Sequence, residues 1–222
     1  RLALFLQCPM SAKCQLEMHY MKIIPKKFHS VAAVNVVLAL LTIGMQSAVA
    51  GGASAQALSF TCAGCHGTDG SSLGPSSPHI AGVGKDYFID AMKMYQTEER
   101  NSTIMGRIAR AYSDEQIEAM ANFFSEQELR VPMQKFDAKK AALGAKLHDR
   151  YCEKCHEDGG TVADDGGTLA GQWIPYLEFS MADFQNGSRE MTKKMKKKVK
   201  KMLNKEGDTS VDALIHFYAS QK

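Results

Sequence analysis

The 222-residue chain carries 27 basic and 24 acidic side chains, for a net charge of +3, and 45% of its residues are hydrophobic. Residues 1–50 hold five of the basic and one of the acidic groups, so the remainder, with 22 and 23, is near neutral. Four of the six cysteines lie beyond residue 50, all in two Cys-x-x-Cys pairs, which excludes a disulfide framework and a spare thiol nucleophile.

The first fifty residues are expected to be processed rather than folded. Residues 1–20 precede a better start at Met21 and read as an upstream, non-native extension. In residues 21–50, Lys22, Lys26 and Lys27 precede an apolar run over residues 31–44 and the small-residue triplet Ala48-Val49-Ala50, the three parts of a secretory signal. Cleavage is expected after Ala50. A second acceptable site, Ala55-Gln56-Ala57, would shorten the opening helix that follows. A retained anchor is the alternative, but the apolar run is short for a membrane span. The processed chain is therefore expected to be periplasmic, with no membrane span.

Cys62-Ala63-Gly64-Cys65-His66 comes next, and it returns ninety residues later as Cys152-Glu153-Lys154-Cys155-His156. Cys-x-x-Cys-His is the attachment signature of c-type haem. Two thiols one helical turn apart each bond a vinyl group, and the adjacent His reaches the iron from one side. A zinc half-site or a redox-active thiol pair is the alternative for each Cys-x-x-Cys. Zinc halves stand roughly 12–20 residues apart, whereas Cys65 and Cys152 are 87 apart, and no βαβ pattern surrounds either pair.

Beyond the first motif, loops rich in Gly, Ser, Asp and Pro read as irregular chain wrapped around haem. Ile80-Ala81-Gly82, Tyr87, Met92, Gln96 and Arg100 follow, and then Met105. Ser113-Asp114-Glu115-Gln116 is a capping box for a closing helix that carries Ile117, Phe123 and Phe124. Residues 126–137, with Pro132, make the best linker, dividing the chain into domains at 51–130 and 131–222.

The second half repeats this order. A helix over residues 136–151 runs into the second motif, with Gly144 allowing close approach by another helix and Phe217-Tyr218 as the aromatic partner. Leu169-Ala170-Gly171, Tyr176, Met181, Gln185 and Arg189 answer their first-half counterparts at an offset of 89. The closing segment, with a looser cap at Thr209-Ser210-Val211-Asp212, matches at an offset of 94, so the second half has gained about four residues. No alternating strand pattern occurs, and the fold class is all-α.

Met thioether is the usual second ligand of electron-transfer haems. His66 to Met105 and His156 to Met195 are both 39 residues, which singles these two out of 13 methionines. Met191, expected one turn before Met195 on the same face, stays open as the second ligand of the second iron. Seven lysines fall within residues 193–201, but Met191, Met195, Val199, Met202 and Leu203 recur at helical spacing among them. Such a coat is a solvated helix face or a docking surface for an acidic redox partner, not a nucleic-acid site.

These motifs, together with Met105-Gly106-Arg107-Ile108-Ala109, Tyr112-Ser113-Asp114 and Leu169-Ala170-Gly171-Gln172-Trp173, resemble the dihaem class I cytochromes of the c-four group. Within that group the second-half set is similar to the cytochrome subunits of flavocytochrome c sulfide dehydrogenases. The resemblance implies two tandem class I cytochrome c domains, each wrapped around one covalently attached haem c. It also implies that His66 and Met105 ligate one iron and His156 and Met195 the other. The implied partner is a separate FAD-containing subunit that oxidises sulfide and passes electrons through the haems to a later cytochrome or oxidase. In monohaem relatives a loop Pro carbonyl orients the ligand His. Pro75 or Pro78 is placed for this in the first half, while Asp165-Gly166-Gly167-Thr168 has no Pro in the second.

Three function classes follow: an electron-transfer subunit of a sulfide-oxidising flavocytochrome, a free dihaem carrier feeding a terminal oxidase, and a haem enzyme. The two methionines argue against the third, which needs an open or unusual coordination position. No Gly-x-Gly-x-x-Gly follows a strand, so FAD is expected only in the partner and the chain by itself is not expected to be an enzyme.

Overall fold

Hydrogen-bonded turns at matching positions of the two halves define the architecture. Ile80 and Ala81 N–H donate to the Gly70 carbonyl at 2.8 and 3.2 Å, and Leu169 and Ala170 donate to the Gly160 carbonyl at 2.9 and 3.0 Å. Gly82 N–H then donates to Phe124 O, and Gly171 N–H to Tyr218 O, both at 2.9 Å. Gly70 and Gly160 take φ near +88° and +90°, a region where a side chain is strained, and a Cβ on Gly70 would lie 2.7 Å from Ala81 N. The repeat read from the sequence is therefore a repeat of backbone geometry.

The structure is a computed structural model that describes residues 53–162 and 167–221. The expected upstream extension, the signal segment and cleavage after Ala50 lie outside the described residues, as do Asp165 and Gly166 of the second loop. Among the described residues every regular element is helical apart from one antiparallel bridge, Glu157 to Val162. No helix among them is long and apolar enough to cross a membrane.

In the first half, α1 (Ala55–Phe60) leads into α2 (Ala63–His66), which carries the first motif. Then come α3 (Lys85–Gln96), α4 (Met105–Ala109) and α5 (Asp114–Ser125). α5 starts at the expected capping box, with Ser113 Oγ accepting from Gln116 N–H and Gln116 Oε1 accepting from Ser113 N–H. α3 and α5 bury Phe88, Met92, Ile117, Met120 and Phe124 against Leu58 of α1.

The second half consists of α6 (Ala138–Tyr151), a 3₁₀ turn (Asp158–Gly160), α7 (Ile174–Asn186), α8 (Lys193–Glu206) and α9 (Thr209–Ser220). Its own core joins Leu147, Tyr151, Leu177, Met202, Leu214 and Phe217. α6 starts two residues later than expected because the Asp137 carboxylate caps it, accepting from Lys139 and Lys140 N–H at 2.8 and 3.1 Å. The looser cap expected at Thr209 does not form. Asp208 is the N-cap, without a side-chain bond, and Thr209 is already helical. The residues gained by the second half lie beyond Met195, where α8 runs for 14 residues against 5 in α4.

Candidate functional site

Each Cys-x-x-Cys-His forms a single helical turn. Cys65 and His66 N–H donate to Cys62 O, and Cys155 and His156 N–H donate to Cys152 O, at 2.9–3.2 Å. The first cysteine of each pair is half-buried against its domain's core, and the second is exposed. Burial pushes the Cys62 and Cys152 thiols up, the opposite of what a nucleophilic redox thiol needs. Among the described residues no group of three or more His, Cys, Asp and Glu comes together to hold a metal, so neither pair completes a zinc shell.

His66 is buried, and its Nδ1 donates to the Pro78 carbonyl at 2.9 Å. Of the two prolines expected for this role, it is Pro78 that performs it. The bond fixes the tautomer and leaves Nε2 free as a ligand. Burial holds the His66 pKa below the ordinary value, so the ring is neutral and able to ligate near pH 7, with the Pro78 bond opposing the shift. In the second half Gly167 stands where Pro78 stands in the first, and the buried His156 Nδ1 has no partner among the described residues. Among the described residues no carbonyl does for His156 what Pro78 O does for His66.

Met105 is the first residue of α4 and packs on the core that holds Cys62. Its segment is pinned at both ends. Gly106 N–H donates to Ser102 Oγ at 2.9 Å, and the Gln96 amide donates to Ala109 O and Tyr112 O at 3.0 and 2.9 Å. Met195 lies in the first turn of α8, its N–H donating to Thr192 Oγ1 at 3.2 Å. Met191 lies before that cap and is not on the helix, which corrects the expectation that it shares a face with Met195. Along α8 the inner stripe is Met195, Val199, Met202 and Leu203, while the seven lysines of residues 193–201 are all exposed.

Four thiols in two helical turns, the buried His66 and half-buried His156 imidazoles, each with Nε2 free of hydrogen bonds among the described residues, and two thioethers in first helical turns fit two haem c groups. When bound, haem c supplies a one-electron ferric/ferrous couple. The chain's part would be to anchor each group through its two thiols and its imidazole, with Pro78 orienting His66. The second motif has an added network that the sequence did not suggest. Buried His148 bonds the Glu153 carboxylate through Nε2 and the Tyr218 hydroxyl through Nδ1 at 3.0 Å, while Asp158 N–H donates to Glu153 at 3.0 Å.

The seam between the halves was also missed. Gln172 clasps the backbone of His79, accepting its N–H and donating to its carbonyl, both at 2.9 Å. The next residue, Trp173, stacks on the His79 ring at 5.8 Å and donates its indole N–H to Ser72 O. Burial depresses the His79 pKa to about 4, so a neutral ring sits at this joint. The available signal was a break in the repeat, because Val83 and Gly84 occupy the matching places. Gln172→Ala would strand a buried amide and carbonyl. It should cost about 2 kcal/mol, seen in urea denaturation as earlier and separate unfolding of the halves.

The cytochrome c family profile matches residues 52–128. Cytochrome c4 of Pseudomonas aeruginosa is 30% identical over 184 residues, covering 78% of this chain and 92% of that protein. The thiosulfate dehydrogenase electron acceptor of Thiomonas intermedia is 29% identical, covering 69% of this chain and 76% of its own length. The cytochrome subunit of sulfide dehydrogenase from Chlorobaculum tepidum is 43% identical over 67 residues, which is 30% of this chain and 60% of that subunit. In fold, the chain is similar to reduced cytochrome c4 from Pseudomonas stutzeri, with a TM-score of 0.65, 24% identity, and 76% and 97% of the two chains covered.

Proposed function

The chain belongs to the c4-type cytochromes c, and from that premise we propose that it carries two haem c groups and relays electrons from an FAD-containing, sulfide-oxidising partner subunit to a later cytochrome or oxidase. His66 and Met105 ligate one iron, and His156 and Met195 the other. The Cys62/Cys65 and Cys152/Cys155 thiols anchor the porphyrins. The signal segment directs the chain to the periplasm, and the two tandem domains meet near residue 130.

The observation that supports the choice of donor is the 43% identity, over 67 residues, to a sulfide dehydrogenase cytochrome subunit. A reduced flavin discharges its two electrons singly, and two irons in one chain accept both. Neither sulfide chemistry nor flavin binding is asked of this chain. The second reading, a free dihaem carrier, is favoured by the near full-length match to cytochrome c4.

Native purification from the source separates the two. On the subunit reading, a FAD-containing polypeptide co-elutes and added sulfide rapidly reduces both haems. A lone dihaem protein that sulfide reduces only slowly replaces that reading with the free carrier.

A further inference from the structure

Three side chains around the second motif differ in kind from their first-half counterparts, and they differ together. His148, Glu153 and Tyr218 stand where the first half has Leu58, Ala63 and Phe124. The first-half trio is apolar, with Leu58 and Phe124 buried in the core. The second-half trio is a hydrogen-bonded chain from core to surface, in which His148 bonds the Tyr218 hydroxyl through Nδ1 at 3.0 Å and the Glu153 carboxylate through Nε2. His148 is 1% exposed and the Glu153 side chain 40%. A carboxylate thus stands between this buried ring and water.

The ring can hold either of two proton counts. Neutral, it donates from Nε2 to Glu153 and accepts at Nδ1 from the Tyr218 hydroxyl. Charged, it donates from both nitrogens, and the phenol oxygen accepts. Neither form strands a buried polar atom. Burial holds the Tyr218 phenol well above its ordinary range, so it stays neutral. The His148 bond holds the Glu153 carboxyl below its own, so a countercharge is in place. The other titratable groups on this side of α6 are engaged elsewhere. From α8, Glu206 bonds Arg150 and Tyr151, and Lys198 acts on the Cys152 thiol. From α9, Asp212 pairs with Lys140 and His216. Asp158 of the 3₁₀ turn gives its N–H to Glu153, and Asp149 and Lys154 are exposed.

This ring is also tied to the turn that presents the second haem. His148 O accepts the Cys152 and Glu153 N–H at 2.7 and 2.9 Å, and Cys152 O accepts the His156 N–H at 3.0 Å. Charge on His148 reaches the His156 ring, whose protonation it disfavours. Charges inside a protein are weakly screened, so charge on the iron that His156 ligates acts back on His148.

We propose that His148 is a redox-linked proton site of the second domain. It binds one proton from water, by way of Glu153, as one electron enters the second haem c, and returns it when that electron leaves. The reduced centre has one positive charge less, the proton restores it, and no other bond forms or breaks. This inference rests on the two-haem reading above. The first domain has Leu58 at this place and serves as an internal control.

Haem content by intact mass and pyridine haemochrome comes first. Fewer than two haems per chain sinks the two-haem reading, and this inference with it. With two haems in place, spectroelectrochemistry from about pH 5 to about pH 8 covers the range in which imidazoles titrate. A proton on His148 favours the reduced form, so the midpoint of one haem of the two should fall as pH rises. Its reduced-to-oxidised ratio at a fixed potential should drop about fivefold or more. His148→Leu, which installs the first-half residue, should abolish this drop. Glu153→Gln removes the countercharge and should move the drop to lower pH; Glu153 is half-exposed, so this variant decides even where His148→Leu fails to accumulate. Nitrogen-15 NMR of the His148 ring should show it titrating at higher pH in the reduced protein than in the oxidised. A midpoint independent of pH, a drop that survives His148→Leu or stays in place in Glu153→Gln, or a His148 titration identical in both redox states overturns the site while leaving the two-haem reading intact.

Discussion

Met195→Ala is expected to lower the midpoint potential of one haem by about 0.2 V or more, while Met191→Ala leaves both haems unchanged. Axial-ligand identity spreads haem potentials over about 0.8 V, with thioether ligation toward the upper end. Removing the thioether therefore outweighs any surface-charge effect. The spacing from His156 matched the first half only for Met195, but helical periodicity kept Met191 in contention. The helix start favours Met195. Thr192 caps α8 through the Met195 N–H, placing Met195 in the first turn, as Met105 is in α4, and Met191 outside it. Spectroelectrochemistry of both variants, together with loss of the thioether-to-ferric charge-transfer band from one haem of two, checks the assignment. A shift in Met191→Ala and none in Met195→Ala would reverse it.

The features legible in the sequence were those that the cofactor chemistry and the backbone require at fixed positions. Two Cys-x-x-Cys-His motifs, the Ser113 capping box and the recurring Ala-Gly turns each need particular residue types, and each has the expected local geometry. The choice between Pro75 and Pro78 was not legible, because both lie in irregular chain whose path is set by tertiary bonds. The Gln172 clasp on His79 was hidden for the same reason. It joins residues 93 apart, and a single Gln has no pattern. Arg100 and Arg189 were visible as repeat partners, but only the folded seam shows Arg100 donating to Tyr176 and Arg189 to Tyr87. Periodicity misled at Met191 because it extends a helix through a position where a threonine cap ends it.

Gly144 is the position in the second domain where one added methyl should do most damage. α6 and α9 pack so closely that a Cβ on Gly144 would lie 2.1 Å from Ala213 O and 2.6 Å from Phe217 Cβ. Ala213 is backbone in a buried helix, so relief requires α9 to move away from α6. Ala is the better helix former by up to about 1 kcal/mol, but overpacking a rigid site costs roughly 1–3 kcal/mol and more when backbone must shift. Gly144→Ala is therefore expected to lose about 3 kcal/mol, and Gly144→Val more, against a typical domain stability of about 5–15 kcal/mol. The loss should reach the cofactor. One turn on, His148 packs its ring on Phe217 at 5.2 Å and bonds Tyr218, and the next turn ends in Cys152. Displacing α9 thus loosens the helix that presents the second motif. In urea, Met-ligated haem absorbance of the second domain should disappear at lower denaturant than in the wild type. The first domain has Ser54 at the matching place, outside the α1/α5 contact, and should keep its own transition. Coincident, unshifted transitions in Gly144→Ala would mean that the helix pair tolerates a spacing wider than the one it adopts.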